Sequence, residues 1–440
     1  MSFTLTKSFI ASKLHEQKTR EGMLRLREKK FRRMVKYAYR HSKFYRDLYT
    51  SKGITRQMLD TLKIEDLPVV DKEMIMEHFD AVLTTDDVSK KEVVDFLDVS
   101  KNPDELFKKK YHVIHSSGSS GKIGVFVYSS RDWDCFFPYI TKSFDFRFRK
   151  SKSVFFGAAD GHYAGVSFSS WTTHGVTGRY CDLLILDIKK PIEEHVAALN
   201  RFQPDVLGGY FTGLKILSEK QALGELCIHP RFLVNAGEGI IPSEKEKVEK
   251  IFNLPMANLY GVAECVIMGI GRKEYDGIYL FDDLVYVEVL DDHILLTNLF
   301  NKTQPLIRYR INDYLKVKED KGKLLPYTLV DTVIGRDEMV IWLENGKGKL
   351  DFIHPIVVAE FYVKGLDKLQ IMMKDTKSFE FLAVIDKQEK QDDVVRKIRE
   401  RLDELLKAKD FTNVTYSVRV VKELTVDKKT GKFKLIVPAS

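Results

Sequence analysis

From about residue 111 to residue 330 the chain alternates short apolar runs with longer amphipathic stretches. VFVY (125–128), SVFFGA (153–158), LLILDI (183–188), DVLGGY (205–210), FLVNAG (232–237) and MANLYGV (256–262) are short and mostly apolar, and read as strands. Stretches near 191–202, 213–224 and 243–252 read as helices between them. Such alternation predicts an α/β layer with parallel strands. Ligands of such layers gather at the carboxyl ends of the strands, where the loops lie.

The flanks differ. Residues 13–50 read as one long basic helix, in which Leu24, Phe31, Val35 and Ala38 follow at steps of seven, four and three and line one face. Its arginines and lysines fit a solvated face with long stems over core better than a phosphate-contacting face. Residues 51–110 mix short helices and turns, broken at Pro68 and Pro103. Beyond Gly335, EFLAVI (380–385) is strand-like, Val394, Ile398, Leu402 and Leu405 mark a helix, and Val414, Tyr416, Val418 and Val420 alternate as a half-buried strand. The turn ENGKGK at 344–349 follows a boundary near 336. The expected architecture is α/β. A large N-terminal domain of mixed sheets and helices covers 1–335, with a helical segment over 1–110, and a small α+β C-terminal domain covers 336–440.

Composition narrows the classes. With 44% hydrophobic and 30% charged residues the chain is an ordinary globular one. It shows no apolar run near 18 residues and no signal-peptide pattern in MSFTLTKSFI, so no membrane partner is expected. Four scattered cysteines fit a reducing compartment, and a cytoplasmic location follows. Cys227 and His229 are two ligand types without a site around them. The net charge of +8 suits small anionic ligands and does not call for nucleic acid.

The densest chemistry lies in SSGSSGK, Ser116 to Lys122. Glycines let backbone amides converge on an anion, hydroxyls donate, and lysine adds charge. It is not a Walker A loop, because only two residues separate Gly118 from Gly121 and Ile123 follows Lys122.

This loop resembles the phosphate loop of the AMP-forming adenylate synthetases. Further motifs of that superfamily appear in its order. Asn235-Ala236-Gly237-Glu238 resembles the segment along adenine. Tyr260-Gly261-Val262-Ala263-Glu264 resembles the aromatic-Gly-x-Thr/Ser-Glu motif, and Tyr309-Arg310-Ile311-Asn312-Asp313 the Tyr-Arg-x-Gly-Asp motif. Gly335-Arg336-Asp337-Glu338 resembles the hinge motif, and Thr430-Gly431-Lys432 the Gly-Lys that carries the catalytic lysine. VKYAYRHSKFYRDLY and LPVVDKEMI are similar to the opening of phenylacetate–CoA ligases and related capsule-biosynthesis adenylating proteins.

The resemblance implies ATP-dependent activation of a small carboxylic acid, aryl or hydrophobic, to an acyl-adenylate, followed by transfer to coenzyme A. A carrier protein, amine or hydroxyl acceptor is the first alternative, and a non-catalytic nucleotide-binding module the second. It implies phosphate contacts from Ser117, Gly118, Ser119, Ser120, Gly121 and Lys122, and adenine or ribose contacts from Gly237, Glu238, Tyr260, Gly261, Asp313 and Arg336. Glu264 would hold Mg2+, and Lys432 would bridge ribose and α-phosphate, leaving when a mobile C-terminal domain swings about Asp337 or Glu338. His162 would orient the substrate carboxylate, and Tyr210, Phe211 and Trp171 would line an aryl pocket. A homodimer is expected only from the superfamily. Two departures stand out: Ala263 replaces a hydroxyl residue, and Asn312 a glycine.

Overall fold

The computed structural model describes residues 3–116, 124–143, 150–174, 177–291, 293–331, 340–359, 361, 363–386, 389–425 and 434–437. The N-terminal stretch is three helices, α1 (Phe3–Glu16), α2 (Arg20–His41) and α3 (Lys43–Ser51), and not one. Side-chain caps make the breaks: Thr19 accepts from the Gly22 amide, and Ser42 ends α2 while accepting from the Tyr45 amide to start α3. Phe31, Val35 and Ala38 are buried as expected, but Met23, not Leu24, completes the face. Three short helices follow, α4 (Lys72–Glu77), α5 (Phe79–Val82) and α6 (Lys90–Val99).

Strands β1 (Tyr111–His115) and β2 (Val125–Ser129) pair as an antiparallel hairpin, so VFVY belongs to this hairpin and not to the parallel layer. The layer itself is built from β3 (Ser151–Gly157), β4 (Cys181–Asp187), β5 (Val206–Gly209), β6 (Phe232–Ala236) and β7 (Met256–Tyr260). Helices α7 (Ser130–Ile140), α8 (Ala164–Trp171), α9 (Ile192–Phe202), α10 (Phe211–Ala222) and α11 (Pro242–Phe252) interleave with them. Strands β8 (Gly269–Gly271) and β9 (Ile278–Leu280) extend the sheet antiparallel. Strands β10 (Val285–Val289), β11 (Ile294–Asn298) and β12 (Tyr309–Ile311) form a separate antiparallel sheet, and β13 (Thr328–Val330) closes the large one. The order β13-β9-β8-β7-β6-β5-β3-β4 puts a direction switch at β3, whose chain runs outward to β4 and then back across to β5. Ligand crevices form at such switches.

The C-terminal stretch holds a hairpin of β14 (Ile341–Glu344) and β15 (Leu350–Ile353), a short helix α12 (Pro355–Ala359), and a four-stranded sheet. That sheet comprises β16 (Leu366–Met373), β17 (Ser378–Ile385), β18 (Thr415–Val420) and β19 (Ile436–Val437), covered by helix α13 (Gln391–Ala408). Val394, Ile398 and Leu402 are buried in α13, with Leu406 in place of the expected Leu405. Side chains of β14, β15 and α12 share one apolar core with α9, α10 and α11. Among the described residues no helix is long and apolar enough to cross a membrane.

The basic N-terminal helices turn much of their charge inward. Arg20 and Arg27 reach Asp282 at 2.5 and 2.7 Å, and His15 reaches Asp283 at 2.6 Å. Lys30 donates to the Asp283 carbonyl at 2.5 Å. Burial alone would push the Asp283 carboxyl up, but His15, Lys30 and Tyr139 outweigh it and hold it low. These cations are struts between α1, α2 and the β9–β10 connection, which accords with the non-phosphate reading.

Candidate active site

A cavity of about 1450 Å³ opens along the carboxyl ends of β5, β6 and β7 and is closed on other sides by α8, β12 and the start of α12. Single-ligand sites usually span about 300–1,000 Å³, so this space can hold more than one ligand. Gly237, Glu238, Tyr260, Gly261, Glu264 and Asp313 all line it, from three separate motifs.

The Tyr260 to Glu264 segment leaves β7 in a tight turn. A Cβ on Gly261 would lie 2.0 Å from the Val266 carbonyl, so only glycine fits. Val266 itself sits at φ 60°, a left-handed conformation costly for a β-branched residue, on the order of 1–3 kcal/mol. Tyr128 donates to the Ala263 carbonyl at 2.8 Å and Asn298 to the Glu264 carbonyl at 3.2 Å, holding the turn from below. Glu264 is thereby fixed at 7% exposure on the cavity wall. Burial pushes its carboxyl up; its own backbone amide and the Lys72 charge offset part of that, and Asp313 adds to it. A buried carboxylate of this kind is stabilised by a cation, and oxygen donors suit Mg2+.

Tyr260 donates to Asp313 Oδ2 at 2.7 Å, joining two motifs at one point. Burial and the Asp313 charge raise the phenol well above its ordinary value, so it stays a donor. The adenine-type segment is held as firmly. Gly237 takes φ 88°, with its hydrogen facing the Tyr210 ring where a Cβ would lie 3.1 Å away. Asn235 donates to the Glu238 carbonyl at 2.7 Å and to Asn258 Oδ1 at 2.8 Å. Glu238 accepts from the Thr212 amide at 2.7 Å, and its other oxygen lies 2.7 Å from His354 Nε2. Burial pushes the Glu238 carboxyl up, but His354 and Thr212 outweigh it and hold it low.

Ser117, Gly118, Ser119, Ser120, Gly121, Lys122, Arg336, Asp337, Glu338 and Lys432 lie outside the described residues. The residues at the loop's near end, His115 and Ser116, line the cavity. The loop's ends are closed by Ser116 N–H to Gly124 O at 2.8 Å and Gly124 N–H to Ser116 Oγ at 2.9 Å.

His162 does not line the cavity. It is 1% exposed, with Nε2 2.9 Å from Ser100 Oγ and its ring 4.9 Å from Phe96, so it is a core residue joining α6 to the loop after β3. Its carbonyl accepts from the His115 amide at 3.1 Å, and the histidine that reaches the cavity is His115, packed edge-on to Tyr163. Burial lowers His115 to about 4, leaving it neutral. Tyr210 and Phe211 line the cavity, whereas Trp171 packs edge-on against Phe137 outside the lining. His354 was missed because it stands in an apolar stretch outside any motif, and His115 because it adjoins the serine-glycine loop at the end of a strand without being part of that loop's pattern. All four cysteines are free, and no group of three metal-ligating side chains occurs among the described residues.

No family model matches the chain. It is 23% identical to the fumarate–(S)-2,3-diaminopropanoate ligase of Enterobacter agglomerans over 61% of this chain and 66% of that one, just under two thirds. It is 19% identical to the protein CapK of Staphylococcus aureus over 86% of this chain and 82% of that one. It is 21% identical to the phenylacetate-coenzyme A ligase of Thermus thermophilus over 67% and 65%. Among solved structures, 2-hydroxyisobutyryl-CoA ligase with its acyl-AMP and CoA matches at TM-score 0.62 and 16% identity, over 96% of this chain and 91% of that one. These relatives, and the fold shared with that ligase, fit the AMP-forming adenylate synthetase superfamily. Within it, CapK and the phenylacetate-coenzyme A ligase are proteins of the branch that the N-terminal motifs resemble.

Proposed function

We propose that the chain activates a small carboxylic acid with ATP at this cavity, forming an acyl-adenylate and pyrophosphate, and then hands the acyl group to coenzyme A. The convergence of Glu238, Tyr260, Glu264 and Asp313 on one cavity at the strand ends is the observation that carries the reading. In the first half-reaction a carboxylate oxygen attacks the α-phosphorus and pyrophosphate leaves. Both partners are anionic, so positioning and charge neutralisation set the rate. Asp313, aligned by Tyr260, accepts the ribose hydroxyls; Gly237 and Glu238 lie along the base; His115 and Ser116 approach the phosphates and the acid. Glu264 is the residue that would hold Mg2+, whose charge offsets that of the triphosphate when bound. Phe155, Tyr210 and Phe211 offer the acid an aromatic wall, which supports an aryl or other hydrophobic substrate.

The chain is read as a body over 1–335 and a lid over 336–440, with Lys432 carried by the lid. One relative is a fumarate–diaminopropanoate ligase, which supports an amine as the alternative acceptor. ATP–pyrophosphate exchange across a panel of aryl and aliphatic acids, repeated with coenzyme A, tests the reading. Exchange with some acid is expected, and none with any acid would overturn it. Lys432→Ala should lose roughly 10² in exchange, the scale of one transition-state donor. It should keep most thioester formation from a preformed acyl-adenylate; equal loss in both steps would contradict the lid assignment.

A further inference from the structure

The cavity does not end at the carboxyl ends of the strands. Ser151, Ser153 and Phe155 on β3, and Cys181 and Leu183 on β4, are alternate residues on one face of the sheet, and all of them line it. Ser151 and Cys181 open their strands and pair in register, so the space runs on to the amino ends of β3 and β4. From Phe155 back to Ser151 the strand covers about 13 Å, at about 3.3 Å per residue. Helix α8 covers this stretch with Phe168 and Ser169. A single aromatic ring held beside Phe155 would leave most of that length empty.

The neck of the groove lies at Phe155. Its ring packs against α8, where a Cβ on Gly165 would lie 2.7 Å from Phe155 Cζ. Beside it in the sheet stands Gly208, in register with Phe155 and also lining the cavity. A Cβ on Gly208 would come no nearer than 3.3 Å to any atom, the Val154 carbonyl oxygen, and its φ is not left-handed, so the backbone does not demand glycine there. What the missing side chain does is leave the passage over β5 open. Beyond the neck the lining turns polar without charge. Thr141, Thr172 and Thr177 line that end and donate to the carbonyls of Pro138, Ser169 and His174 at 2.7, 2.6 and 2.6 Å. Each spends its hydrogen on the backbone and keeps its lone pairs, so this end offers acceptors. Among the described residues, no charged side chain of β3, β4, α7 or α8 lines the cavity. A second carboxylate on the ligand would find no countercharge there.

Resting on the function proposed above, we infer that the acid is an elongated one, with an apolar body that passes Gly208 and an uncharged hydrogen-bond donor, a hydroxyl or amide, at its far end among Ser151, Ser153 and Thr172. Ser153 is then a specificity-determining residue, and Gly208 sets the length the groove accepts.

The test is ATP–pyrophosphate exchange by the full chain without coenzyme A, comparing ω-hydroxydecanoic, decanoic, decanedioic and phenylacetic acids by kcat/KM. The ω-hydroxy acid should exceed decanoic acid roughly tenfold, the upper range for one hydrogen bond, and should exceed decanedioic acid by at least that factor. It should exceed phenylacetic acid, which leaves the far end unfilled, by tenfold or more. Ser153→Val should bring the ratio of ω-hydroxydecanoic to decanoic acid close to one, a ratio that a merely structural role would not move. Gly208→Leu should lower the ratio of either long acid to phenylacetic acid roughly tenfold, by blocking the neck. Highest exchange with phenylacetic or decanedioic acid, equal exchange with the hydroxylated and plain long acids, or reaction of other acids but neither long one would overturn the inference. An unmoved ratio in Ser153→Val or Gly208→Leu would do so as well. The comparison of acids in the unchanged chain stands even where a variant fails to fold. Each of these failures leaves acid activation standing, whereas no exchange with any acid of the wider panel overturns the proposed function and this inference together.

Discussion

At the scale of single residues, the site is a set of side chains each held by a second one. Tyr260 is the clearest case, because its hydroxyl gives Asp313 a fixed direction at 2.7 Å while its ring stays in the wall. Tyr260→Phe should preserve the wall and release the carboxylate. The KM for ATP in pyrophosphate exchange should rise roughly tenfold, near the scale of a hydrogen bond to a charged group, with the maximal rate altered less. An unchanged KM would show that Asp313 is not aligned from this side. Tyr260, Glu264, Gly237, Glu238 and Asp313 were all legible in the sequence, because each sits in a short motif whose spacing survives translation into a strand end or turn. His162 was legible equally as a residue orienting the substrate and as a core residue, and nothing local chose between the two. Gly161, at φ 134°, turns the chain so that the ring goes inward to Ser100 and Phe96, and no local pattern reports that turn. The His354–Glu238 pair is beyond sequence reasoning of any local kind, since it depends on how two distant elements pack.

At the scale of elements, spacing of apolar residues located the parallel strands and their helices within a few residues, because one buried face is enough to impose a period. It did not divide the N-terminal helix. Ser42 is fully buried and polar, and its hydroxyl serves both the Tyr45 amide and, at 3.0 Å, the Ala81 carbonyl. Nor did it foresee that α1 and α2 would be pinned by acids from the β9–β10 connection. Asp282 is 3% exposed and accepts from Arg20, Arg27 and the Thr328 amide. Asp282→Ala removes the shared acceptor and leaves Arg27, at 17% side-chain exposure, without its carboxylate. The expected loss is about 3–5 kcal/mol of unfolding free energy, the cost of breaking a buried pair by one partner. Urea titrations of the two proteins would measure it, and a loss below about 1 kcal/mol would mean the contact is no stronger than a surface pair.

At the scale of the whole molecule, four histidines are enclosed in places that cannot accept their charge. Burial lowers His112 to about 3 and His115, His162 and His195 to about 4, with neighbouring cations adding to the effect at several of them. In the unfolded chain each titrates near its free value of about 6.5. Below that pH the unfolded chain binds protons that the folded chain refuses. These residues therefore contribute stability that is fully present above pH 6.5 and is lost as the pH falls toward their folded values. Each can contribute a slope of up to about 1.4 kcal/mol per pH unit within that window. Asp187 and Glu264 act in the opposite sense, because burial raises their carboxyls and they take up protons first in the folded state. The histidines titrate through this window before the carboxyls do, and carboxyls held low, such as Glu238 and Asp283, act in the same sense as they do, so the urea midpoint should fall continuously from pH 6.5 to pH 4.5. His195 gives a way to isolate one contribution, since it is 2% exposed, its Nε2 has no partner, and it has no part in the proposed chemistry. Replacing it by Gln removes one titrating group, so the dependence on pH should become shallower by about that single-histidine slope, whatever the variant does to stability at pH 8. A midpoint that stays level between pH 6.5 and 5, or an equal slope in His195→Gln, would mean that these imidazoles open to water and take up protons without unfolding the chain.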